Sequence, residues 1–271
     1  MDLYESSRTL VVAEAGINHN GDVRTAERLI VAAKKAGADA IKFQTYTTER
    51  RVPAGSPIFD VLKRAELSYR QQESLKRCAD AEGIVFFSTP FDEEAVAFLA
   101  SLRVALMKVA SFRIVDSKLV RAVAATRIQT IVSCGMATLS EVDATVKLFK
   151  NYGTHLALLH CVSAYPTPKG KTNLRVVRTL SRLYPSLLVG YSDHTMDIDA
   201  CLYAVAMEAR IIEKHFTLDR STPGGDHALS ADPSMMAELV VRIRELETMR
   251  GDGNLGMQDV EKPASILRKV T

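Results

Sequence analysis

The chain has no tryptophan, and aromatics make up only 6% of its 271 residues. That argues against an aromatic carbohydrate platform or a surface that stacks nucleic-acid bases. An excess of one charge sign is missing too: 35 basic residues face 32 acidic ones, for a formal net charge of +3, so no general polyanion binder is indicated. No stretch approaches the roughly 18 uninterrupted apolar residues of a membrane span, and the opening MDLYESSRTL lacks the features of a signal peptide. The four cysteines, Cys78, Cys134, Cys161 and Cys201, are scattered and form no CxxC pair. These absences lead us to expect a soluble cytoplasmic protein without a disulfide framework, bound to neither nucleic acid nor membrane.

What is present is alternation. Short apolar, β-branched runs begin at Leu10, Asp39, Ile84, Ala105, Gln129, Leu156, Leu188 and Arg210. Between them lie segments such as VRTAERLIVAAKKAGA and LSEVDATVKLFKNYG, where apolar residues recur at three and four positions and mark one buried helix face. Strands alternating with helices mean βαβ units and a parallel sheet. Eight such units match an α/β fold of the (βα)8 TIM-barrel type, about 250 residues in a single domain. We expect a catalytic barrel over 1–250 and an irregular tail over 251–271. An open doubly wound sheet is the alternative. The one long connection, Arg50 to Leu67, carries Pro53, Gly55 and Pro57 and is expected to form a lid over the barrel mouth.

Barrel active sites are built from side chains at the C-terminal strand ends, and there the polar residues gather. Glu14 sits near the end of strand one, and Lys42 and Gln44 end strand two, two apart and so on one face. Ser88 and Thr89 end strand three, Lys108 and Ser111 strand four, and Ser133 strand five. His160 and Ser163 end strand six, Ser192, Asp193 and His194 strand seven, and Glu213, Lys214 and His215 strand eight. Lysines and hydroxyls suit a phosphate and a carboxylate. Histidines on adjacent strands suit one divalent metal. Glu14 and Glu213 are candidates for general base and for support of it. Plainer readings compete, since a strand-end histidine is often a hydrogen-bonded structural group and a strand-end lysine can be merely solvated. His19 in INHNG reads as a turn group, His155 as surface, Cys134 and Cys161 as small core residues, and GDGNLG as a turn-rich tail.

At these motifs the sequence resembles the N-acetylneuraminate (sialic acid) synthase family. The matching segments include AEAGINHNGD (13–22), GADAIKFQT (37–45), FFSTPFDEEAVAFL (86–99), KVAS (108–111), SCGMATLSEV (133–142), LLHCVSAYPTP (158–168), VGYSDHT (189–195), EKHFTLD (213–219) and PGGDHALS (223–230). The resemblance implies an enzyme that joins phosphoenolpyruvate to the aldehyde of an N-acyl hexosamine such as N-acetylmannosamine, giving a nine-carbon 2-keto sugar acid and phosphate. It implies that Lys42, Thr89, Lys108, Ser111, Ser133, Ser163 and Ser192 bind phosphoenolpyruvate. His194 and His215 would then hold a divalent metal, manganese above magnesium or cobalt. Glu14 would activate water, with Gln44, Tyr165, Glu213 and Asp226 around the sugar and metal.

Two departures stand out. Full-length members carry a small C-terminal antifreeze-like domain that covers the partner's site and supplies an arginine; this chain stops about where that domain would start, so a trimmed chain or a barrel with another cover is expected. The family commonly has glutamate two residues after the strand-four serine, where this chain reads Ser111-Phe112-Arg113. Arg113 is therefore expected to face the acceptor, taking over part of the missing arginine's job or selecting an acidic or phosphorylated sugar. The alternatives are a related synthase with a different acceptor, or a non-catalytic binding subunit. A homo-oligomer formed through the barrel is expected.

Overall fold

The structure, a computed structural model, describes residues 3–5 and 7–268. Eight strands form one closed barrel in sequence order, β1 (Leu10–Gly16), β2 (Ala40–Thr45), β3 (Val85–Pro90), β4 (Met107–Val109), β5 (Thr130–Ser133), β6 (Leu156–Cys161), β7 (Leu188–Asp193) and β8 (Ile211–His215). Every neighbouring pair is parallel, and β8 closes on β1. The expected (βα)8 barrel is therefore the fold, and the open-sheet alternative falls with that closure. The helices are α1 (Val23–Lys35), α2 (Thr48–Arg51), α3 (Phe59–Ala65), α4 (Tyr69–Glu82), α5 (Glu93–Ser101), α6 (Ser117–Ala125), α7 (Leu139–Tyr152), α8 (Arg175–Leu183), α9 (Asp199–Ala206) and α10 (Pro233–Arg250). None is long and apolar enough to cross a membrane, among the described residues.

Local chemistry sets the helix ends. The Asp22 carboxylate accepts from the Arg24 and Thr25 amides and starts α1. Ser68 and Thr138 open α4 and α7 with reciprocal capping boxes. His19 is a turn group as expected, its Nδ1 accepting from the Gly21 amide at 3.1 Å. The connection over 50–67 differs from the expected loop: it folds into the end of α2 and all of α3. The Glu66 carboxylate ties these together by accepting from the Thr48 amide and hydroxyl at 2.9 and 2.7 Å. The tail also departs from irregularity, since Asp259–Leu267 forms an exposed 3₁₀ helix. Its last three residues, 269–271, lie outside the described residues.

Alternation along each strand divides the molecule into two cores. Leu10, Val12, Ala40, Phe87, Leu106, Ile131, Ala157, Leu159 and Ile211 fill the barrel interior. Their sequence neighbours Val11, Ile41, Phe86, Met107, Val132, Leu158 and Ile212 face the helices. Two residues beyond an interior apolar side chain, each strand reaches the mouth: Val12 leads to Glu14, Ala40 to Lys42, Phe87 to Thr89, Leu106 to Lys108, Ile131 to Ser133 and Ile211 to Glu213. Gly190 lets β7 and β8 approach, because a Cβ there would fall 2.2 Å from the Ile211 carbonyl oxygen.

The opposite parity carries a second set of polar groups away from the mouth. Lys214 and Asp193, both fully buried, pair at 2.7 Å on the helix-facing side. Lys214 also donates to the Thr195 carbonyl, and Asp193 accepts from the Thr195 amide and the Tyr191 hydroxyl. Breaking such a pair from one side strands a buried charge. Lys214→Met should therefore cost about 3–5 kcal/mol, read as a lower urea midpoint, and adding Asp193→Leu should recover part of the loss. An unchanged midpoint in the single variant would remove the pair from the framework.

Candidate active site at the barrel mouth

A cavity of about 570 Å³ opens at the C-terminal ends of the strands. Glu14, Lys42, Gln44, Thr89, Lys108, Ser111, Ser133, Tyr165, Ser192, His194, His215 and Asp226 all line it, so most of the sequence-predicted residues meet in one place. Glu213 sits just behind, accepting from the Ser192 hydroxyl at 2.9 Å and lying 3.8 Å from Lys42 Nζ. Ser163 supports the wall through a 2.8 Å bond with Ser111.

The floor is a chain of buried charges. Lys42 Nζ lies 2.8 Å from Glu14 Oε2 and donates to Thr89 at 3.2 Å. Lys108 donates to the Ser133 hydroxyl at 2.6 Å. Burial pushes the Glu14 carboxyl up to about 7, against the pull of Lys42, and the neighbouring Glu213 carboxylate pushes the same way. Glu213 is equally buried, but Lys108 and Lys42 outweigh that and bring it down to about 2. Lys42 is raised: Glu14 and Glu213 outweigh its burial. Burial lowers Lys108, with Glu213 opposing. Two carboxyl groups that share Lys42, at 2.8 and 3.8 Å from its Nζ, thus hold protons very differently.

Beside this floor, with His215 in register with Glu14 across the β1–β8 pair, the His194 and His215 rings lie 5.4 Å apart, centroid to centroid, with Tyr165 4.1 Å from His194. Burial drives both imidazoles neutral, His194 to about 4, helped by His215, and His215 to about 3, helped by Lys42. His194 Nδ1 donates to the Val162 carbonyl at 2.7 Å, which leaves Nε2 as a lone-pair donor. His215 Nδ1 is buried without a hydrogen bond, and Asp226 Oδ2 is 3.4 Å from it. Two neutral imidazoles beside a carboxylate fit a borderline divalent cation. Among the described residues no three His, Cys, Asp or Glu side chains are grouped closely enough to hold a metal ion together, so the fit rests on the two imidazoles.

Several expectations need correction. Arg113 does not line the cavity. Its guanidinium donates to the Phe91 carbonyl at 2.9 Å and pairs with Asp116 at 2.6 Å, so it braces the loop after β3. His160 turns to the helix side and bonds the Thr172 carbonyl at 2.7 Å. Asp193 and Lys214 form the structural pair described above, and Ser88 bonds Thr45 at 2.7 Å, also away from the mouth. Cys161 packs as expected but lines the cavity as well.

Sequence reasoning missed Arg51, which reaches the mouth from α2. Its Nη1 donates to Gln44 Oε1 at 2.7 Å, and its guanidinium lies over the rings of Phe91 and Tyr46 at 3.8 and 4.5 Å. The available signal was position: Arg51 follows Gln44 by seven residues, in a connection that leaves the C-terminal end of a barrel strand. Missed as well was the apolar rim of Ile17, Ile58, Val61, Leu62, Phe91 and Phe112.

Comparison with known proteins gives this cavity its context. The N,N'-diacetyllegionaminic acid synthase of Legionella pneumophila is 40% identical over 287 residues, spanning 98% of this chain and 80% of its own. The human N-acetylneuraminate-9-phosphate synthase is 33% identical over 254 residues, spanning 89% of this chain and 71% of its own. The crystal structure of N-acetylneuraminic acid (sialic acid) synthetase from Leptospira borgpetersenii, in complex with citrate, matches with a TM-score of 0.95 at 36% identity and covers 99% of this chain and 95% of that one. The NeuB family profile matches residues 29–255, and the chain belongs to the NeuB family.

Proposed function

We propose that the protein is a phosphoenolpyruvate-dependent condensing synthase that joins phosphoenolpyruvate to the aldehyde of an N-acyl hexosamine. The product is a nine-carbon 2-keto sugar acid, and inorganic phosphate is released. One observation carries the reading: two buried lysines with hydroxyl partners, a carboxyl group of raised pKa and two neutral imidazoles face one cavity in a chain of this family. The names of the Legionella and human relatives point to the same product class.

The cavity offers each part of that chemistry. Lys42 and Lys108, with Thr89, Ser111, Ser133 and Ser192, supply cations and donors for the phosphate and carboxylate of phosphoenolpyruvate. Holding both anionic ends fixes the C3 face toward the acceptor. His194 and His215, with Asp226 nearby, would hold the divalent ion, manganese above magnesium or cobalt. When bound, that ion supplies Lewis-acid polarisation of the aldehyde oxygen. C3 attacks the aldehyde carbon, a carbon–carbon bond forms, and positive charge develops at C2. Glu14 faces that charge and takes a proton from the water that adds to C2. The proton held by Glu14 passes to the former aldehyde oxygen, which becomes a hydroxyl, and cleavage of the C2–O bond expels phosphate, which carries away the C2 hydroxyl proton and leaves the ketone. Glu213, whose carboxyl the two lysines hold well below the usual carboxylate range, places a negative charge beside Lys42 and Lys108.

Phosphate release in the presence of phosphoenolpyruvate and Mn²⁺ should depend on an added N-acyl hexosamine, one phosphate per keto acid; no release with any aldose would overturn the proposal. Because the working form of Glu14 is its carboxylate, kcat should be present above about pH 7 and fall as the pH drops through that value. Glu14→Gln should lower kcat by roughly 10²–10⁴-fold while phosphoenolpyruvate still binds by calorimetry; a wild-type kcat would rule out its role. His215→Ala should weaken Mn²⁺ binding, measured by titration calorimetry, by about tenfold or more with the circular dichroism unchanged, and an unaltered affinity would exclude His215 as a ligand.

A further inference from the structure

Arg51 is the cavity cation that the proposed chemistry leaves without a task. Lys42 is neutralised by Glu14 at 2.8 Å, and Lys108 is bonded to Ser133 at 2.6 Å. Arg51 has no carboxylate at ion-pair distance among the described residues. Neutral groups hold it: the Gln44 carbonyl and the faces of the Phe91 and Tyr46 rings. Burial pushes its pKa down to about 10, so it stays charged at neutral pH but poorly solvated. A guanidinium offers five N–H groups in one plane, and stacking fixes that plane. The result is a rigid donor facing a cavity with donors to spare.

The surroundings select what such a donor accepts. Ile58, Val61, Leu62 and Phe112 line the same cavity; Leu62 packs in one buried cluster with Tyr46 and Phe91, and the Phe112 ring stacks 6.0 Å from that of Phe91. Ile58 and Phe112 are each 50% exposed, although both are large apolar side chains. An apolar wall is a poor place for a phosphate, whose desolvation one guanidinium does not offset. A neutral carbonyl oxygen with an adjoining methyl group meets both features at once.

We infer that Arg51 and the apolar wall formed by Ile58, Val61 and Phe112 are the acceptor's acyl subsite, which makes Arg51 a specificity-determining residue for N-acylated over phosphorylated sugars. The acyl carbonyl oxygen accepts from the guanidinium while the methyl group packs on the wall. The inference rests on the condensing reading above and adds to it the residue that chooses the acceptor.

The test compares kcat/KM of the full chain with Mn²⁺ and phosphoenolpyruvate for N-acetylmannosamine, its 6-phosphate and mannose. Wild type should favour N-acetylmannosamine over mannose. Arg51→Met should shrink that ratio by roughly tenfold or more, the scale of a lost charged hydrogen bond. The loss should lie in the KM of the acylated sugar, with the KM of phosphoenolpyruvate within about twofold, and Arg51→Lys should restore part of it. An unchanged ratio in Arg51→Met overturns the inference and leaves the condensing reading standing. A 6-phosphate substrate whose kcat/KM collapses alone in Arg51→Met shows a phosphoryl-reading guanidinium and also overturns it. Wild type inactive with all three sugars overturns both. Should Arg51→Met fail to fold, Val61→Asn, on the solvent-facing side of α3, tests the same subsite through the wall: the ratio should fall again, and an unchanged one rejects the subsite.

Discussion

Everything at the barrel mouth depends on how the ionisable groups on its floor neutralise one another. A lone lysine or glutamate at Lys42, Glu14, Glu213 or Lys108, all buried, would shed its charge rather than carry it out of water. Interleaving positive and negative groups keeps most of them ionised. The balance is uneven: Glu213 takes the lysines' field and stays anionic, while Glu14 is left near neutrality. Under the proposed chemistry, a phosphorylated acid would bring negative charge to two lysines already fixed in direction, and little reorganisation would accompany its binding.

Most of the site was legible in the sequence because strand alternation is a strict code. Given eight apolar runs, the parity of each interior residue determines which polar neighbour turns to the mouth. Glu14, Lys42, Thr89, Lys108, Ser133 and Ser192 all obey it. Parity also explains the errors. His160, Asp193 and Lys214 lie at the right height on their strands but on the wrong face, and height alone does not separate the two. Residues after the strand ends, such as Arg113, escape the rule because a short 3₁₀ turn, Ser111–Arg113, sets their direction.

Arg51 and Arg113 show the same gap from two sides. Both follow a strand end, and both are arginines near the mouth. Arg113 found a carboxylate three residues on, in Asp116, and a backbone carbonyl, and was drawn into the scaffold. Arg51 found no such partner and stacked on rings instead. Which of two nearby cations remains available is decided by local counter-charges, which no periodicity reports. The connection over 50–67 borders the mouth through Arg51, Ile58, Val61 and Leu62, but its two helices are tied together by the Glu66 bonds to Thr48, a contact across many residues of chain.

The buried Asp193–Lys214 pair has a wider consequence. It lies one residue from Ser192 and His194 on one strand and from Glu213 and His215 on the next, yet it faces the opposite way. Strands β7 and β8 thus act as a partition: one surface carries the buried Asp193–Lys214 pair and the other lines the cavity, with the pair's charges still felt at His194 and His215. Side chains at the rim can therefore be exchanged without touching the buried pair that holds the two closing strands together.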